Sequence, residues 1–200
     1  MDIEPSDYVK QLPIGMRIPP SEGAIPFWQI FPYEGDLQVK VLEPPMLPEP
    51  PRQGEAGPDD CKQRSRPDSE FLWTDDHWRL GTFPEPAGLP ALVELQPHGH
   101  HDFGDLPPER AAELGVVLQR VERAILGLGG IARVHVNRWG DGGAHLHFFL
   151  IARPEGMMQL RGSCLPLWND SLPKVPIDIW AETNHRIAQS MAAGGGTAHR

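Results

Sequence analysis

The chain has 200 residues, 40% of them hydrophobic, and a formal net charge of −9 at pH 7. That length fits one domain, or one domain with an appendage. The acidic balance excludes the basic surface that nonspecific binding to nucleic acid or to an anionic membrane requires.

The N-terminal "MDIEPSDYVKQLPIG" has no basic region followed by an apolar stretch, so it does not read as a secretory signal. Nowhere does the sequence hold a run of about 18 apolar residues, so no membrane-spanning helix is expected. Two cysteines, Cys61 and Cys164, are too few for a disulfide scaffold and suit a reducing compartment. A soluble, cytoplasmic protein is the expectation.

Prolines number 23, against roughly 5% in an average protein, and they are unevenly placed. Residues 1–43 mix proline with aromatic and apolar groups. Leu37, Val39 and Val41 alternate with Gln38 and Lys40, which predicts a half-buried strand over 36–42. Residues 43–70, "EPPMLPEPPRQGEAGPDDCKQRSRPDSE", are dense in proline, glycine and charge. Proline removes backbone donors and fixes φ, so this stretch reads as an extended surface connector. The arm before it would pack through Trp28, Phe31 and Tyr33.

From Phe71 onward the pattern is globular. "FLWTDDHWRLGTF" predicts a strand or the start of a hairpin, and residues 90–95 a short apolar strand. In "DLPPERAAELGVVLQRVERAILGLGG", Leu114, Val117, Leu118, Val121 and Ile125 recur at helical spacing. Pro107 and Pro108 suit the first turn, and Gly127, Gly129 and Gly130 end the helix. "ARVHVN" (132–137) alternates as a strand, "RWGDGG" turns, and "HLHFFLIA" continues as the next strand of an antiparallel hairpin. After an irregular stretch, a helix is expected over about 178–192, followed by a frayed glycine-rich tail. Cys164 reads as a small buried residue, and Trp139, Trp168 and Trp180 read as packing groups rather than ligand-stacking ones.

Side chains two apart on a strand face one side, so His145, His147, Phe149 and Ile151 share a face. Unpaired buried imidazoles are costly, so the pair needs backbone, metal or ligand partners. A bare H-x-H therefore admits three readings: structural histidines, metal ligands or a catalytic pair. A metal-binding cupin would place a glutamate three or four residues later. Here the first acid is Glu155, beyond Pro154, and the long helix does not suit an all-β cupin.

"ERAAELGVVLQRVERAI" followed by "RVHVNRWGDGGAHLHFFLIAR", with "LVELQPHGHHDFGDL" upstream, resembles the histidine-triad (HIT) superfamily over about residues 71–155. The resemblance implies an α+β domain, a mostly antiparallel sheet with a long helix packed on it. Residues 1–70 would be a proline-rich arm and connector packed on that domain. Residues 156–200 would be an extension with a helix and a disordered tail. It also implies hydrolysis or transfer of nucleotidyl groups from a phosphoester, phosphoanhydride or phosphoramidate. His147, as the middle histidine, would be the covalent nucleophile, His145 its supporting partner, and His100 (or its neighbour His98) the upstream family histidine. Asn137 would contact phosphate, the amides of Gly142 and Gly143 would donate to it, and Arg153 would be the arginine that closes the strand.

Three departures accompany the resemblance. The third triad position is Phe149, which donates no hydrogen bond. The turn before the pair is short, with only Ala144 after Gly143. No aspartate stands where a ribose-binding acid is expected, and Glu85 is a poor substitute. Some members join two histidines to a C-x-x-C on zinc; here Arg64 stands three after Cys61, leaving Cys61, His100 and His145 as weak metal candidates. No cofactor is required by this reading, zinc being the minor alternative. The expected partner is a phosphorylated small molecule, a nucleotide above all, with a homodimer open. A catalytically silent nucleotide- or partner-binding protein and a metal-binding protein using the H-x-H pair are the competing readings.

Overall fold

The computed structural model describes residues 4–18, 28–35 and 37–199; Asp36 and the Trp28 side chain lie outside the described residues. Six antiparallel strands form one sheet in the order β4-β5-β3-β2-β1-β6. They are β1 (Trp73–Thr74), β2 (Trp78–Thr82), β3 (Leu92–Pro97), β4 (Ile131–Asn137), β5 (Phe148–Pro154) and β6 (Thr197–Ala198). The helices are α1 (Asp7–Lys10), α2 (Pro108–Leu126), α3 (Leu165–Ser171) and α4 (Ile177–Ala193). This is an α+β architecture, and among the described residues no helix is long and apolar enough to cross a membrane.

Local chemistry explains the elements. Asp75 accepts from the amides of His77 and Trp78 at 2.9 and 2.8 Å, an Asx-type turn that closes the β1–β2 hairpin. Pro108 opens α2, where its missing amide costs nothing, and Gly127 follows the last turn. The stripe Leu114, Val117, Val121, Ala124 and Ile125 is buried as the spacing predicts, against Leu80, Val93, Leu95, Leu150 and Ala152 of one sheet face. Helix α4 packs beside α2 on the same face and contributes Ile187, Ala188 and Met191.

The opposite face carries the candidate site. Cross-strand partners share a face, so the pairings Gly81↔Glu94, Glu94↔Phe149 and Asn137↔Phe149 line up four positions across it. A second apolar cluster of Leu89, Ile151, Leu160 and Leu165, with Leu92, Phe149, Trp168 and Leu172 against it, covers the β4-side half. Helix α3, within a stretch that the sequence pattern left irregular, forms its lid. A Cβ on Gly88 would sit 2.5 Å from the Asn169 carbonyl, so only glycine there lets α3 approach this closely.

Several expectations are corrected. Residues 37–42 form no strand and are exposed, with Leu37 at 44% and Val39 at 43%. Alternation alone does not make a strand when no ladder partner is available. The connector is extended only to about residue 50. Beyond that, Gln53 bridges in parallel to Gly143, Cys61 is 3% exposed, and short 3-10 turns span Pro58–Asp60 and Asp68–Glu70. The tail is not frayed: β6 pairs with β1, the Trp73 indole donates to the Gly195 carbonyl at 2.9 Å, and the His199 amide donates to Leu72. Two unpaired edge groups and a buried indole N–H explain why the tail is held.

Gly196 has φ +84°, and a Cβ there would lie 2.5 Å from both the Thr74 carbonyl and the Trp73 indole nitrogen. Gly196→Ala is expected to cost about 1–3 kcal/mol through left-handed strain and overpacking. A lowered urea midpoint with an unchanged m-value would register it; an unchanged midpoint would contradict the packing of the tail.

Candidate functional site

Strand β5 begins at Phe148, three residues later than predicted, so His145, Leu146 and His147 lie in its approach rather than in the ladder. That approach is pinned instead by the Leu146 amide, which donates to the His101 carbonyl at 2.7 Å. The two histidines consequently do different things.

His145 is 2% exposed. Its Nε2 lies 2.9 Å from the Pro97 carbonyl, and its Nδ1 lies 3.4 Å from Sγ of Cys61. A carbonyl partner requires a proton on Nε2, which leaves the Nδ1 lone pair facing the thiol. Burial, helped by neighbouring His100, Arg79 and His147 and opposed by the Pro97 bond, pushes its pKa down to about 4. The His100 ring centre is 5.7 Å away, and Nδ1 of His100 is buried without a hydrogen-bond partner among the described residues. Ligand atoms of Cys61, His100 and His145 lie within 4.8 Å of one another. A thiol and two imidazoles, one of them with an orphaned buried nitrogen, are a three-residue donor set that a divalent metal ion fits.

His147 is half-buried, and its Nδ1 lies 2.8 Å from the carbonyl of His145. Only a protonated Nδ1 can make that bond, so Nε2 carries the free lone pair. The imidazole edge packs on Phe149, with ring centres 5.1 Å apart. Phe149 in turn stacks near Phe83 at 6.0 Å and Trp139 at 5.2 Å. These rings, with Leu92, Ile151 and Leu172, line a cleft of about 530 Å³, which is within the size range of small-molecule sites. Trp139, predicted to be a packing group, is 46% exposed at this cleft. Glu85 sits at its rim paired with Lys174, an exposed ion pair rather than a group directed at a ligand.

Other predicted residues are distributed unevenly. Asn137 ends β4 directly across from Phe149, and its Nδ2 is buried with no partner among the described residues. The glycine turn is engaged by the connector: the Gly142 carbonyl accepts from the Gln53 amide, and the Gln53 carbonyl accepts from Ala144. His98 accepts at Nδ1 from Nε of Arg79 at 3.1 Å, and burial followed by that guanidinium lowers its pKa. Arg153 is not brought to the pair. Six residues of extended chain place it roughly 20 Å along from His147, where Nη1 donates to the Pro154 and Met157 carbonyls.

The sequence reading missed two groups. Arg52 donates to Asp102 at 2.7 Å and to the Gly140 carbonyl at 3.0 Å, and Arg138 donates to the same Asp102 at 2.5 Å. Burial works against ionised Asp102, but the bonds from Arg52, the Phe103 amide and Arg138 outweigh it and hold its carboxyl below the usual range. The second is Glu94, half-buried in the middle of β3. Desolvation raises its carboxyl above the ordinary glutamate value, against the opposing charges of His147 and Arg66. A single acid inside the apolar run "LVELQP" was the available signal.

No protein-family model matches the chain, and no curated protein is detectably similar to it. Among solved structures, the chain is similar to a histidine triad protein from Marinobacter aquaeolei (TM-score 0.48, 19% identity, 62% of this chain and 88% of that one). It is also similar to a Zn-bound histidine triad family protein from Mycobacterium smegmatis (TM-score 0.46, 20% identity, 66% of this chain and 88% of that one). A third likeness is to a uridylyltransferase mutant (TM-score 0.45, 22% identity), where 67% of this chain covers 48% of that one.

Glu94 generates a stability prediction. A raised folded-state pKa means that the folded chain binds this proton more tightly than the unfolded chain does. Stability is therefore lost as pH rises from the unfolded value of 4.5 through the folded one. Glu94→Gln removes that loss, so the variant should be more stable than the wild type at about pH 8 and indistinguishable at about pH 4. Paired denaturant curves at the two pH values check this; a variant less stable at the higher pH would refute it.

Proposed function

We propose that the protein is a histidine-triad-like nucleotidyl hydrolase or transferase that cleaves a phosphoester, phosphoanhydride or phosphoramidate through a covalent intermediate on His147. The observation that carries this reading is the bond from His147 Nδ1 to the His145 carbonyl, which fixes the tautomer with a nucleophilic Nε2. His145, neutral and buried, acts as the positioning residue for that carbonyl. The unpartnered Nδ2 of Asn137 supports a phosphate contact, and the backbone of Gly142 and Gly143 would lie beside it. The partner is a phosphorylated small molecule, a nucleotide in the first instance. His100 packs beside His145 with ring centres 5.7 Å apart, while His98 is engaged by Arg79.

One observation favours a silent binding protein instead: Phe149, packed between Phe83 and Trp139, puts an apolar surface where the family resemblance expects a donor. Turnover separates the two. Incubation with adenosine phosphoramidate, diadenosine polyphosphates and a nucleotide sugar should yield a nucleoside monophosphate or its transfer product. Protein quenched in alkaline denaturant should carry an alkali-stable adduct on His147 that acid releases. His147→Ala should lower kcat at least ~10³-fold, as loss of a covalent nucleophile does. Calorimetric nucleotide binding without turnover in the wild type would establish the silent reading.

The orphaned Nδ1 of His100 beside Cys61 and His145 supports zinc as a structural ion joining the connector to the sheet. Cobalt(II) titration should give a near-ultraviolet thiolate-to-metal band that Cys61→Ala abolishes. A wild type with no such band would leave the three side chains as a hydrogen-bonded cluster.

A further inference from the structure

We propose that the carboxyl group of Glu94 protonates the leaving group in the reaction at His147, supplying the hydrogen that Phe149 cannot give. The inference rests on the reading of His147 as a covalent nucleophile and adds the group that reading lacks.

Glu94 and Phe149 are direct partners across the β3–β5 ladder, so their side chains rise from neighbouring positions on the site face. His147 precedes Phe149 by two residues and packs on its ring. Glu94 thus sits diagonally from the imidazole, with Phe149 between them along one edge. The proposal places the leaving atom of a phosphorus held in front of Nε2 on the Glu94 side. The carboxyl is half-buried, and desolvation and neighbouring charge, rather than hydrogen bonds, act on it among the described residues. A carboxyl so placed is free to bond a ligand.

The surroundings favour the acid form. Gly81 of β2 is its other cross-strand partner, and Phe71 lies against Gly81, so apolar surface flanks the carboxyl on that side. Arg66 of the connector is a cation acting on the carboxyl, but it is engaged with Glu70 at 3.0 Å and lies over the Phe71 ring. Arg79, further along the same face, is taken by Asp68 and His98. Desolvation outweighs the opposing charge of Arg66 and raises the carboxyl above its ordinary value, in the direction a general acid requires.

The step balances as follows. The Nε2 lone pair of His147 forms a bond to phosphorus while the bond from phosphorus to the leaving oxygen or nitrogen breaks, its electron pair going to that atom. The Glu94 proton passes to the same atom, leaving a carboxylate. Water then attacks the phosphorus, the P–N bond breaks with its pair returning to Nε2, and the water proton goes to Glu94. The enzyme returns to its starting state.

Leaving-group dependence tests this, with Glu94→Gln keeping shape and volume. Adenosine 5′-phosphoramidate needs a proton on its departing nitrogen; adenosine 5′-(4-nitrophenyl phosphate) releases nitrophenolate as an anion. Glu94→Gln should slow the first about 10²–10³-fold and the second less than about 5-fold, the selective pattern of a lost general acid. His147→Ala should abolish both. If His147→Ala abolishes both while Glu94→Gln slows both equally or neither, the Glu94 proposal falls and the nucleophile stands. If the wild type turns over neither, or His147→Ala retains both, the underlying reading falls and takes the proposal with it. A second measurement is independent of substrate: carbon-13 NMR of side-chain-labelled glutamate, with the Glu94 signal assigned by its loss in Glu94→Gln. A midpoint above the ordinary glutamate value supports the proposal; one at or below it overturns it.

Discussion

The buried imidazole of His145 is the tie on which the site depends. One ring nitrogen bonds the carbonyl that ends β3, and the other faces the thiol of Cys61 from the connector. The same residue's own carbonyl holds His147 in a single tautomer. Three segments remote in sequence therefore meet at one side chain. An uncompensated polar group at that depth costs about 1–3 kcal/mol, so the arrangement holds only while all three contacts persist. Neutral His145 is compatible with this packing, because a charged ring there would have to be desolvated without an anion beside it.

From that tie the division of the sheet follows. One face is closed by α2 and α4 and provides stability. The other carries the candidate site, with the connector over the β2–β3 half and α3 over the β4 side. Between them stay the His147 edge, the aromatic cleft and Glu94. Phe83, Trp139 and the edge of His147 pack on Phe149 and make this part of the face apolar. An apolar wall beside a carboxyl such as Glu94 favours its protonated form.

Periodicity made the core helix and the β4–turn–β5 order legible, because helical and strand spacings leave separate marks on a sequence. Of the Asn137, glycine turn and H-x-H sequence, the fold sets Asn137 opposite Phe149 and packs His147 against the Phe149 ring. Alternation at Leu37 to Val41 misled, since a strand exists only with a partner and none is supplied there. Proline and glycine in residues 51–70 suggested an idle connector. They set backbone shape but do not say what that shape docks against. Arg153, chosen by its place in a motif, bonds carbonyls at the far end of its strand.

The histidine pair shows the limit most clearly. The sequence by itself determined that two imidazoles sit beside a glycine turn at the start of an apolar strand, because residue type and spacing are local facts. It also determined that the third position has no donor. Which imidazole is buried and which stays half-exposed was decided only by tertiary structure. That depends on the Pro97 carbonyl, on Cys61, and on β5 starting three residues late. Glu94 belongs to the same class: its charge is written in the chain, but its desolvation and its place opposite Phe149 arise only when β3 pairs with β5.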